Sequence, residues 1–203
     1  MMRKYGRLAA ALCLCIVFLS GCGEAKVPDI VDTPSVAVSK EGEVTVWQVG
    51  LFDKADYVLS ELQAMATQEA AQFNSASGRE AAVTVDKVEA LEDGSGKVVV
   101  AYRFDGWESA AGFLEEELYF GTASQAAQEG RTAGMALEGV KDGAPYSEEQ
   151  LRQDADSNVV ITGIKANIYC PGKVTHVSPG ATVNPDGSID TSGTEGPVCI
   201  LYR

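Results

Sequence analysis

The sequence predicts one α+β domain: a mainly antiparallel sheet with one longer helix and two or three short ones. Three observations predict it. Apolar residues recur at helical spacing over 58–73, a hairpin pattern covers 83–104, and strand-like alternation fills the chain from 158 onward. The apolar share of 45% fits a globular chain, and a folded part of about 160 residues suffices for one core.

The first half of the domain predicts a strand followed by the longer helix. Residues 43–50 alternate in strand fashion, and Asp53 is placed to cap the helix that follows. Residues 75–78, ending in glycine, predict the helix end. The apolar residues of this helix are Val58, Leu62, Met65, Ala66, Ala70 and Phe73.

The hairpin prediction depends on the turn sequence at 92–96, Glu-Asp-Gly-Ser-Gly, between two alternating runs. The alternation of the first run slips by one residue near Asp86 and Lys87, which predicts a β-bulge. The second run places Val98, Val100, Tyr102 and Phe104 on one face.

Residues 107–130 allow one long helix or a helix broken at Gly121, and we favour the broken version. Thr122 with Gln125 forms a capping-box pattern, so a short helix is expected to begin there after a short strand at 118–120. Ser147 with Gln150 repeats the pattern and predicts another short helix.

The C-terminal region predicts strands separated by turns. Alternating residues from Asn158 to Ile168 predict one strand, which ends at the turn sequence 170–172. The sequence Asn-Pro-Asp-Gly at 184–187 predicts a further turn, and 198–202 a closing strand.

The N-terminus has the order of a secretory signal. Basic residues at 3, 4 and 7 precede an uncharged apolar run over 8–19, too short to span a bilayer. The sequence Leu19-Ser20-Gly21-Cys22 resembles the lipobox of bacterial lipoproteins. This resemblance implies that 1–21 is a signal peptide and that Cys22 is lipidated. An ordinary secretory signal with a chance cysteine, or an uncleaved anchor, is the alternative.

Residues 22–41 carry two prolines and no helical period, so we interpret them as a flexible tether preceding a domain at 42–203. Four features occur together in this chain: the tether, Phe120-Gly121-Thr122, the turn at 184–187 and the ending through Gly196-Pro197 to Tyr202. This arrangement resembles uncharacterised lipoproteins of Gram-positive anaerobes. The resemblance implies a lipid-anchored protein on the extracytoplasmic face of the cell membrane, and it implies no catalytic residue.

Charge and cysteine content limit the partners. The chain has 16 Lys and Arg against 29 Asp and Glu, a net charge of −13, and removal of the leader's three basic residues makes this −16. Such a chain repels phosphate backbones, so nucleic acid is not an expected partner. Cys13 and Cys15 lie in the predicted leader, and Cys22 is the predicted lipidation site, which leaves Cys170 and Cys199. These two form either one disulfide or two buried thiols.

Two weak chemical candidates occur near the C-terminus. Asn184, Asp186 and Asp190 match part of a calcium-binding loop, although the same residues make a natural hairpin turn, which we favour. Cys170 with His176, the single histidine, could form a nucleophile–base dyad; a histidine at the sheet surface is the alternative.

The motifs of zinc proteases, phosphate-binding loops and serine hydrolases do not occur in the sequence, and no cofactor is predicted. The leading hypothesis is therefore a non-catalytic domain that binds a small ligand or an envelope protein. An envelope enzyme using the cysteine–histidine dyad, and a purely structural surface protein, are the alternatives.

Overall fold

A computed structural model describes residues 25–54 and 57–203 of the chain, so Cys22 and the predicted leader lie outside the described residues. The strands are β1 (Ser35–Val38), β2 (Val44–Leu51), β3 (Val83–Ala90), β4 (Lys97–Phe104), β5 (Leu118–Thr122), β6 (Glu138–Gly139), β7 (Asn158–Thr162), β8 (Asn167–Tyr169), β9 (Val174–Val177), β10 (Thr182–Val183), β11 (Ile189–Asp190) and β12 (Val198–Tyr202). The helices are α1 (Leu59–Ser77), α2 (Trp107–Leu114), α3 (Ala123–Gln128) and α4 (Glu148–Gln153).

The strands form two sheets. The first sheet has the order β10-β11-β8-β1-β2-β4-β3, and the second has the order β5-β7-β12-β9-β6. Strands β1 and β8 pair in parallel, whereas the other pairs within these sheets are antiparallel. One 19-residue helix and three short helices accompany them. The predicted α+β class is confirmed.

Apolar side chains pack in two clusters on either side of the second sheet. Val160 and Ile200 of that sheet pack against Val36 of the first sheet, and Ala66 and Ala70 of α1 join the same cluster. The opposite face of the second sheet packs against α3 and α4. The molecule is therefore layered, with the second sheet in the middle. Among the residues described, no helix is long and apolar enough to cross a bilayer.

The predicted hairpin and its bulge are confirmed. Strands β3 and β4 pair from Val83 with Phe104 to Ala90 with Val98, and the register shifts between Val85 and Lys87. The bulge lies where the sequence alternation slips, because one extra residue moves the following side chains to the other face.

Helix α1 begins later than its predicted cap. Val58 precedes the helix in an extended conformation without a side-chain cap, so Asp53 does not cap it. The helix ends at Gly78, whose φ of 70° is a conformation that glycine adopts without strain. The amide of Asn74 joins α1 to β3, donating to the carbonyl of Val83 at 2.8 Å and accepting from its N–H at 2.9 Å.

The broken version of 107–130 is confirmed. Helix α2 ends at Leu114 and strand β5 follows, after which Thr122 caps α3 by accepting from the N–H of Gln125 at 3.3 Å. Helix α4 begins with a complete capping box between Ser147 and Gln150.

The predicted boundary between tether and domain at residue 42 is wrong. Strand β1, which lies within the predicted tether 22–41, is a central strand of the first sheet, and Val36 and Val38 are fully buried. The preceding segment is also in contact with the domain. Lys97 Nζ donates to the carbonyl oxygen of Asp32 at 3.0 Å, and Asn167 Nδ2 donates to Thr33 Oγ1 at 3.0 Å.

The single strand predicted from Asn158 to Ile168 is wrong as well. The segment divides into β7 in the second sheet and β8 in the first. At Gly163 the chain leaves β7: its N–H donates to the carbonyl of Glu117 at 2.8 Å, and Thr162 Oγ1 accepts from the N–H of Ile164 at 3.0 Å. Alternation continues through this crossing, so periodicity alone did not reveal the change of sheet.

Candidate functional site

Three strands of the second sheet place polar and aromatic side chains side by side at one end of the molecule. Pairing of β5 with β7 sets Thr122 opposite Asn158, and pairing of β12 with β7 sets Tyr202 opposite the same residue. Phe120, two residues before Thr122, lies on the same face. Its ring stacks with that of Tyr202, with centroids 6.4 Å apart and an interplanar angle of 19°.

Two turns complete this end of the molecule. The turn between β1 and β2 brings Gly42 against Phe120, since a Cβ built on Gly42 would lie 3.4 Å from the ring. The turn between β8 and β9 brings Gly172 against the C-terminal end of β12. A Cβ at Gly172 would lie 2.5 Å from the carbonyl oxygen of Arg203, so a side chain does not fit there without a shift.

These elements line an open cavity of about 460 Å³, which we call the end cavity. Its volume lies within the range of small-molecule sites, roughly 300–1,000 Å³. Two cations contribute to the wall, and no Asp or Glu among the described residues does. The lining residues are Lys40, Phe120, Gly121, Thr122, Gln125, Asn158, Pro171, Tyr202 and Arg203.

Tyr202 contributes a buried phenol to this wall. The residue is 3% exposed, and its hydroxyl has no hydrogen-bond partner among the described residues. Burial, and then the proximity of Cys170, raises the pKa of this phenol far above its ordinary value. The hydroxyl therefore stays neutral, and it is buried away from the cavity surface.

The Arg203 guanidinium is held by a polar network at the C-terminal end of α4. Its Nε donates to Ser157 Oγ at 2.7 Å, and its Nη2 donates to Asp154 Oδ2 at 3.2 Å. The same carboxylate oxygen accepts from the Tyr146 hydroxyl at 2.9 Å. Although burial of Asp154 opposes ionisation, hydrogen bonds from Ser157, Tyr146 and Arg203 outweigh it and lower its pKa to about 2. The ionised carboxylate fixes the guanidinium in place.

The proposed dyad of Cys170 and His176 is not formed. His176 pairs with Leu201, so its side chain lies on the outer face of the second sheet, where its ring packs 4.4 Å from that of Tyr146. Cys170 packs in the cluster between the sheets. Burial lowers the pKa of the imidazole and raises that of the Cys170 thiol to about 12, neither of which favours a thiolate–imidazole pair.

The predicted disulfide is also not present. Cys170 and Cys199 are both free thiols, and they belong to clusters on opposite faces of the second sheet. The alternative prediction of two thiols packed as small apolar side chains describes them correctly.

Asn184 and Asp186 lie in the turn of a small hairpin, and Asp190 ends its second strand, β11. Strands β10 and β11 pair on either side of this turn. Asp186 Oδ1 accepts from the N–H and hydroxyl of Ser188, at 2.9 and 2.7 Å, and Asp190 Oδ1 accepts from the N–H of Ser192 at 2.8 Å. Asn184 donates its amide to Asn167 and Ser188. These oxygens thus satisfy the loop's own donors. In the described part of the chain, no group of three or more His, Cys, Asp or Glu is placed to hold a metal.

Sequence reasoning did not identify the end cavity. Its lining residues are distributed from 40 to 203 and meet only through strand pairing between distant segments. The two signals that could have pointed to it are the Phe-Gly-Thr sequence at 120–122 and the Cys-Pro-Gly turn at 170–172, both of which border it.

Comparison with known proteins gave no match to a family model, to a curated protein or to a solved structure.

Proposed function

We propose that the protein is a lipid-anchored extracytoplasmic lipoprotein whose domain binds a small ligand in the end cavity without catalysing a reaction. The observation that carries the binding role is the cavity itself, which lies beside an aromatic pair at one end of the second sheet. Its volume is that of a small-molecule site, and its lining combines polar side chains with apolar ones.

The position of the cavity relative to the lipobox supports this proposal. Ala25 lines a groove together with Ser39 and Glu43, which flank the turn that carries Lys40. Residues 22 and 25 are three positions apart, and three residues extend at most about 11 Å. A lipid on Cys22 would therefore hold the end cavity close to the membrane surface.

The separation of Cys170 from His176 supports a binding role over the enzyme alternative, because a thiol needs a base within hydrogen-bond reach to act as nucleophile. The net charge of −13 likewise argues against nucleic acid as the ligand.

Native mass spectrometry of the protein isolated from its own membranes tests the binding role. We expect a small molecule to remain bound to the wild type and to be lost from Gln125→Trp, whose indole would fill the cavity that Gln125 lines. Gln128→Trp is the matched control, because Gln128 is exposed on the same helix and does not line the cavity. Equal ligand occupancy in the two variants would contradict a role for the end cavity.

Metabolic labelling with palmitate tests the anchor. The wild type and Cys170→Ser should be labelled and recovered with membranes, whereas Cys22→Ser should be unlabelled. If the wild-type protein carries no label, the lipid anchor is wrong. Native mass spectrometry still tests the binding role in that case.

A further inference from the structure

We infer that the protein has a second small-molecule site, which selects an amine that carries a short apolar group. The site is an open cavity of about 380 Å³ between strands β1 and β2, the end of α2 and the segment 164–166 that crosses from β7 to β8. We call it the crossing cavity. It shares no lining residue with the end cavity, so this inference goes beyond the proposed function.

The two cavities lie at opposite ends of strand β7. Asn158, the first residue of β7, lines the end cavity, whereas Ile164, two residues past the end of that strand, lines the crossing cavity. Similarly, the turn between β1 and β2 borders the end cavity, and Ser35, the first residue of β1, lines the crossing cavity. A ligand in one cavity therefore does not contact the residues of the other.

Buried apolar side chains line the inner part of the crossing cavity. Val36 and Val46 are paired across β1 and β2 and are 0% and 4% exposed. Leu114 and Ile164 are partly buried against the same cluster, which also includes Ala166. The volume lies in the range of small-molecule sites, roughly 300–1,000 Å³. An apolar group of a ligand can thus leave water against these side chains.

The backbone on both sides of Glu116 is fixed, which places this residue at the cavity. Helix α2 ends at Glu115, and the N–H of Glu116 donates to the carbonyl of Ala111 at 3.3 Å. On the other side, the carbonyl of Glu117 accepts from the N–H of Gly163 at 2.8 Å. The Glu116 carboxylate lies beside the crossing segment, since a Cβ built on Gly163 would be 3.6 Å from its Oε2.

The charge of the lining favours a cation. Glu116 is the one charged residue among the described residues that line the cavity, and Gln48, on the same strand face as Val46, adds an amide. The side chains of Glu116 and Gln48 make no hydrogen bond or ion pair with the described residues. An ammonium group has three donors and can meet both oxygens. The C-terminal carbonyls of α2 and the net charge of −13 favour the same sign of ligand.

Titration of the purified full-length protein with three probes of similar size, followed by amide chemical shifts in NMR spectra, tests the inference. Phenethylamine should shift the resonances of residues 46–48, 114–116 and 164, and should bind at least about threefold more tightly than phenethyl alcohol or hydrocinnamate, as expected for an exposed ion pair. Glu116→Gln should weaken phenethylamine binding about threefold and leave phenethyl alcohol binding unchanged. The control Glu117→Gln removes an equal charge from the next position, which does not line the cavity, and should have no such effect.

A variant that fills the crossing cavity locates the bound probe. The indole of Gln48→Trp would occupy the space that Gln48 lines, so the shifts caused by phenethylamine should disappear. Gln68→Trp is the matched control, because Gln68 is exposed on α1 and does not line the cavity. Gln125→Trp, which fills the end cavity, should also leave phenethylamine binding unchanged.

The outcomes separate this inference from the proposed function. If phenethyl alcohol binds as tightly as phenethylamine, the selection of an amine is wrong. If phenethylamine shifts residues 120–122 instead and its binding is lost in Gln125→Trp, the probe binds in the end cavity and the second site is wrong. If no probe causes a shift, the inference fails, and native mass spectrometry still tests the end cavity.

Discussion

Asp154 shows how a single buried side chain can organise the end of the molecule. Its side chain is 4% exposed, and its two oxygens accept from the N–H groups of Asp156 and Ser157, the Tyr146 hydroxyl and the Arg203 guanidinium. A buried carboxylate is stable only when it is paired and hydrogen-bonded, as it is here. The residue thus joins the ends of α4, β7 and β12.

The low pKa of Asp154 makes stability depend on pH. Its folded pKa of about 2 lies below the ordinary value of 3.8, so its contribution is fully present above about pH 4 and is lost as the pH falls toward 2. Asp154→Asn should lower the free energy of unfolding by about 2 kcal/mol at pH 7, and by less at pH 3. Urea unfolding at both pH values measures this. Asp156→Asn, an exposed neighbour, should be near neutral; the same loss in both variants would contradict the account.

The thiols of Cys170 and Cys199 should react slowly. Burial raises the pKa of Cys170 and of Cys199 to about 12, and only the thiolate reacts. At pH 8 iodoacetamide should therefore modify these two cysteines more than about 100-fold slower in the native protein than in the unfolded protein. Recovery of a peptide linking these cysteines from the unreduced protein would instead establish the disulfide.

Among the elements, strand β1 changes the interpretation of the chain most. A stretch with two prolines nearby was predicted to be a tether, but four residues of it form a central strand. The sequence over 35–38 is too short for its alternation to stand out, and its burial depends on pairing with β8, about 130 positions later in the chain.

Substitutions on either side of the corrected boundary test it. Val38→Ala removes two methyl groups from a fully buried site and should cost about 2 kcal/mol of unfolding free energy. Ile30→Ala is the control, because Ile30 is 70% exposed and should change stability by less than about 0.5 kcal/mol. A Val38→Ala variant as stable as the control would restore the tether interpretation.

The caps of α3 and α4 were predictable because their signals are local. Ser147 and Gln150 are three positions apart and satisfy each other's backbone N–H groups. Ser147→Ala should lower the free energy of unfolding by about 1 kcal/mol, measured by urea unfolding. Ser60→Ala, an exposed change inside α1, should have no such cost; a cost as large there would mean that the cap is not the cause.

At the scale of the whole molecule, the sequence was sufficient for the class and for most elements, and insufficient for the site. The bulge at 86–87 and the turn at 184–187 depend on neighbours in the chain, so local patterns predict them. The end cavity depends on registers between β5, β7 and β12, on the turn between β1 and β2, and on the turn that leads from β8 to β9. No local pattern encodes those registers, and the crossing at Gly163 that sends β8 to the other sheet is equally nonlocal.

A crystal structure of the protein isolated from its own membranes tests the central claim most directly, because it shows whether the space between Lys40, Phe120 and Tyr202 holds a ligand. We expect density for a small molecule there, in contact with Phe120. A cavity filled only with water in that native preparation would contradict the binding role.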